Sequence, residues 1–233
     1  MRKADSVDIA FLCHGMRVLL LRLGCSLPLL LAADELILAS RNIEQLCWRE
    51  LGYKKKPVFD DDLPDFLKVD GDGYPVALSI PRAPAVLAAW LEALKLPPPQ
   101  TESCTAMNLD SLARLLNLTS FEFQWLLWSY CVRRFGRAIL PVIPIRSKPH
   151  GCEVLALLSE MPVDAVRDAV ASRRLYAWGL LDGDGTEGAM PSLLSGWLSA
   201  TEQFAEWIEQ PYASDTDLLI ALCNAQVSLS ASR

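Results

Sequence analysis

The chain has 233 residues, room enough for two small domains, and 52% of them are apolar, the composition of a chain that buries a core rather than of a disordered one. Its 22 Lys+Arg stand against 28 Asp+Glu, a formal net charge of −6, which argues against a strongly basic nucleic-acid binder because phosphate contacts need clustered cations. The seven cysteines (Cys13, Cys25, Cys47, Cys104, Cys131, Cys152 and Cys223) are scattered without a C-x-x-C pair, which excludes a disulfide scaffold or a structural zinc site and points to a reducing, cytoplasmic setting.

The stretch from Ile9 to Ala33 is apolar, but Arg17, Arg22 and His14 interrupt it and Pro28 would break a single span. A charge at mid-span is costly in a bilayer, so a buried or partner-facing helix is expected here rather than a membrane segment or signal peptide. A first helix is predicted over Val7–Leu23. Ser26 and Pro28 open a second, which carries Leu36, Ile37, Ile43 and Leu46 at helical spacing and ends at Gly52. Lys54–Lys56 and Asp60–Asp62 follow closely enough to neutralise one another in a solvated loop. Asp70-Gly71-Asp72-Gly73, between Phe66–Val69 and Tyr74–Ile80, predicts a β-hairpin near 66–80. Leu87, Trp90, Leu91 and Leu94 then place one apolar stripe on a helix from Pro84 to Leu96. Pro97-Pro98-Pro99 begins a stiff linker over 97–105, dividing a helical unit (1–96) from a second unit (106–233).

The second unit opens with a short helix, Leu109–Leu116. Thr119 and Glu122 match a capping box, and Phe121, Trp125, Trp128, Val132 and Phe135 behind it keep helical spacing, as a core stripe would. Pro141 and Pro144 make the next segment irregular or an edge strand. A short helix is expected over Glu153–Glu160, and another entered by Pro162 with Val163, Val166 and Val170 on its apolar face. Leu175–Leu181 reads as a strand, Asp182-Gly183-Asp184-Gly185 as its turn, and Leu193–Gln210 as an amphipathic helix with Glu202, Glu206 and Glu209 on one side. Helix, helix, strand and turn in that order outline a winged helix. The expected fold class is therefore mainly α, a helical unit with a small hairpin followed by a winged-helix-like helical unit.

Chemistry is sparse. No G-x-x-x-x-G-K-[ST] phosphate loop and no G-x-S-x-G occur. Gly183-Asp184-Gly185-Thr186-Glu187-Gly188 matches the dinucleotide fingerprint by letter, but Pro191 intervenes before any helix and Asp184 and Glu187 would repel a pyrophosphate. Neither Asp-Gly-Asp-Gly turn has the twelfth-position Glu of a calcium loop: Pro81 and Leu193 stand there. Cys13 and His14 would point to different faces of a helix, and His150 and Cys152 lie in an expected loop with no orienting acid. No catalytic residue, cofactor or metal site is assigned, and no small-molecule substrate is evident. The candidates for contact with a partner protein or DNA are Arg167, Arg173, Arg174 and Asp184. Arg167 and Arg174 would share a face of the recognition helix, although Asp164 and Asp168 dilute it.

From about Leu109 to about Ile208, LARLLNLTSFEFQWLLW, VDAVRDAVASRRLYAWGLLD and LLSGWLSATEQF resemble the region that precedes the ATPase core in a group of bacterial AAA+ ATPases. The chain departs from that family in lacking a Walker A segment. Leu29–Glu35, LLLAADE, only echoes a Walker B run, and no catalytic residue carries over. The resemblance implies a non-catalytic protein-interaction or regulatory module whose partner is an ATPase subunit or domain. The mildly basic winged segment beside an acidic helix suits oriented docking on a protein. The alternatives are a winged-helix DNA-binding regulator using Arg167, Arg173 and Arg174, and a hydrolase or transferase using Cys152 and His150.

Overall fold

A computed structural model describes residues 8, 11–12, 14–16, 18–19, 22–23 and 26, then 103–136, 140, 143–183 and 191–231, with side chains as far as Asn224. The predicted second helix, the 66–80 hairpin, the 84–96 helix and Asp184 lie outside these residues. Among the described residues the fold is mainly helical, and its β pairing consists of two isolated antiparallel bridges, Pro144 with Leu193 and Leu181 with Ala200. The helices after the N-terminal helical residues are α1 (Cys104–Leu115), α2 (Ser120–Phe135), α3 (Lys148–Ser159), α4 (Val163–Ser172), α5 (Arg174–Ala177), α6 (Leu194–Trp197), α7 (Glu202–Trp207) and α8 (Asp215–Ala231).

Local chemistry sets where these helices start and stop. The capping box is present: Thr119 Oγ1 accepts from the Glu122 amide at 3.2 Å, and Glu122 Oε2 accepts from the Thr119 amide at 2.8 Å. Ser103, Ser147 and Thr201 cap α1, α3 and α7 with the side-chain half of this arrangement alone. At the end of α1, Asn117 takes a positive φ of 47°, while the amides of Asn117 and Leu118 donate to Arg114 and Ala113 carbonyls. Gly179 (φ 64°) closes α5 likewise, its own amide donating to Tyr176 O and that of Leu180 to Leu175 O. Both are left-handed turns that satisfy carbonyls a helix end would otherwise orphan.

One apolar core joins the described parts, and Trp125, Trp128, Trp197, Phe121, Phe204, Met16, Leu19 and Leu23 are its largest fully buried side chains. The aromatic stripe of α2 is core, as its spacing predicts. The N-terminal helical residues belong to that same core. Gly15 lies so close to α2 that a methyl group there would sit 2.8 Å from Cys131 Sγ. Polar contacts fix both ends of this crossing. Asp8 Oδ1 accepts from Ser103 Oγ at 2.6 Å and from the Thr105 amide at 3.1 Å, reinforcing the start of α1. Arg22 donates to Leu158 O at 2.9 Å near the end of α3 and lies 5.8 Å from the centre of the Trp128 ring. The described residues between 8 and 26 thus pack into the same core as α1, α2 and α3.

Several expected boundaries change. The helix predicted at Leu109 begins at Cys104, and the one predicted at Glu153 begins at Lys148 because Ser147 caps it and Pro149 is tolerated in a first turn. Leu175–Leu181 is not a strand: Arg174–Ala177 is a single helical turn, and Leu181 alone forms a bridge. Leu193–Gln210 is not one helix either. It divides into α6 and α7 because Ser199 O accepts from the Asp182 amide at 2.8 Å and the Thr201 amide donates to Leu180 O at 3.1 Å, pulling 199–201 into extended pairing.

Candidate interaction surface

Arg174 does not face outward from a recognition helix. α4 stops at Ser172, Arg173 takes a positive φ of 54°, and the chain turns so that Arg174 points back to the start of α2. There its Nη1 lies 3.2 Å from Glu122 Oε2, whose side chain is 2% exposed. Arg174 Nη2 also donates to the carbonyls of Leu116 and Asn117 at the end of α1. One guanidinium therefore completes the capping box of α2 and satisfies the C-terminus of α1, a structural task. Arg167 is exposed and pairs with Asp164 at 2.8 Å one turn away. Arg173 lies 5.9 Å from the centre of the Tyr176 ring. Of the basic residues singled out in the sequence, Arg167 and Arg173 are thus exposed, while Arg174 is held by Glu122 and the end of α1.

A second set of charges meets at the partly exposed seam between α2 and α7. Arg133 Nε donates to Glu202 Oε2 at 2.6 Å and its Nη1 lies 3.8 Å from Asp182. Arg134 Nε donates to Glu209 Oε1 at 2.6 Å, and its Nη2 donates to Ala205 O at 2.6 Å. Tyr130 Oη donates to the same Glu209 oxygen at 2.6 Å, and its phenol is held far above the usual tyrosine range, first by burial and then by Glu209. Burial opposes the charge on Arg134, but its contacts with Glu209 outweigh that and raise its pKa. The basic end of α2 and the acidic α7 are thus largely paired with each other. An open cleft of about 440 Å³ beside them is lined by Val132, Arg133, Gly136, Leu198, Ser199 and Glu202.

The His150–Cys152 pair sits in the first turn and a half of α3, not in a loop. Cys152 is buried, and burial pushes its thiol up, the reverse of an activated thiolate. His150 Nδ1 accepts from the Arg146 amide at 3.2 Å, and residues two apart on a helix do not face each other. Among the described residues no group of His, Cys, Asp or Glu is arranged to hold a metal ion, and no helix is long and apolar enough to cross a membrane.

An apolar surface is open as well. α8 packs on α1 and buries Leu218 and Leu222, one stripe at i and i+4, yet Leu219, Ile220 and Cys223 beside them are exposed, Ile220 by 53%. A surface helix ordinarily turns polar residues to that side. Across the packed pair, Arg114 meets Asp215 at 3.4 Å, and Met107 and Leu115 of α1 are exposed as well. Sequence analysis did not single out α8, although the run LLIALC over 218–223 was an available signal, being apolar on every side of a helix. It missed Asn108, a buried side chain whose Nδ2 donates to Ile208 O at 2.7 Å and Gln210 O at 2.8 Å, tying α1 to the end of α7.

Comparison with protein families, with curated proteins and with solved structures finds no match to this chain.

Proposed function

We propose that this chain is a non-catalytic, cytoplasmic protein-interaction or regulatory module that works with an AAA+ ATPase. The observation that carries the interaction reading is the outer side of α8, where Leu219 and Ile220 are exposed beside the buried Leu218 and Leu222. Apolar surface of this kind is matched by another protein, not by the phosphates of DNA. The pairing of Arg174 with Glu122 supports the same choice, since the DNA reading assigns that cation to phosphate. The ATPase as partner rests on the resemblance of residues 109–208. The winged-helix arrangement belongs to that proposal too, with α4 in the recognition position and the Leu181–Ala200 bridge at the base of the wing.

The test begins at the source locus, downstream of the codon for Arg233. An ATPase reading frame that continues there or starts immediately after is expected. Its product should bind this chain with an affinity that falls at least tenfold in a Leu219→Ser/Ile220→Ser variant that keeps its unfolding midpoint. Absence of such a frame overturns the ATPase association. Unchanged binding by the variant overturns the role of α8.

A further inference from the structure

We draw no further inference here: the strongest candidate, the open cleft between the end of α2 and the Leu198–Glu202 segment, has its Glu202 carboxylate already held by Arg133, and no buried unpartnered polar group among the described residues points into it to indicate a ligand.

Discussion

Replacing Arg174 by Met tests whether this residue serves the fold or a partner. The substitution leaves the Glu122 carboxylate, with its side chain 2% exposed, facing only its capping-box donors, and removes the donors to the Leu116 and Asn117 carbonyls. Breaking a buried ion pair from one side typically costs about 3–5 kcal/mol. Arg174 itself is 37% exposed, so solvent screens part of the interaction, and Thr119 continues to donate to the carboxylate. The expected loss is therefore roughly 2–3 kcal/mol, read as a lowered midpoint in urea unfolding with an unchanged slope. Arg173→Met is the control: its guanidinium is exposed and meets only a ring face, so its cost should stay within about 1 kcal/mol. The double variant Glu122→Gln/Arg174→Met should lose less than the sum of the two single variants, because no unpaired carboxylate then remains. Equal midpoints for Arg174→Met and Arg173→Met would refute the structural role.

Other consequences follow from the same contacts. Leu19 is fully buried in the shared core, so Leu19→Ala should cost about 2–5 kcal/mol in the tryptophan-fluorescence transition that reports on Trp125, Trp128 and Trp197; an unchanged transition would mean that the N-terminal helix folds separately. Gly151→Ala places a methyl group on the buried Trp197 indole and should cost roughly 1–3 kcal/mol despite the better helix propensity of Ala, whereas a neutral result in thermal unfolding would contradict that packing. Burial pushes the Tyr176 phenol from its ordinary 10 up to about 12. Because the folded value is the higher one, this stability is fully present below pH 10 and is lost as pH rises from about 10 to 12, by roughly 2–3 kcal/mol. Tyr176→Phe should flatten that alkaline loss, and an identical pH profile for the variant would count against the assignment.

What the sequence made legible was local. Thr119 and Glu122 are three residues apart, and the Phe121–Trp125–Trp128–Val132 stripe repeats within one helix, so both could be read without knowing what packs on them. The strand reading of Leu175–Leu181 failed for a tertiary reason. Apolar and aromatic residues suit a strand or a buried turn equally, and the decision came from Arg173 at positive φ and from Arg174 reaching a carboxylate 52 positions away. The unbroken helix over Leu193–Gln210 failed similarly, since nothing in that segment announces that Ser199 and Thr201 will bond to Asp182 and Leu180. Nor does either segment by itself announce that Arg133 and Arg134 will meet Glu202 and Glu209 within the chain. The apolar side of α8 stood out only once its neighbours were in place, because an apolar run alone does not say which side is covered.

Hydrogen–deuterium exchange of the chain, measured with and without the proposed ATPase partner, tests the central claim most directly. The account predicts slowed exchange over residues 215–224 of α8 and along the adjoining α1, with α4 unchanged. Protection confined to α4 and Arg173, obtained with duplex DNA and lost as salt is raised, would contradict it.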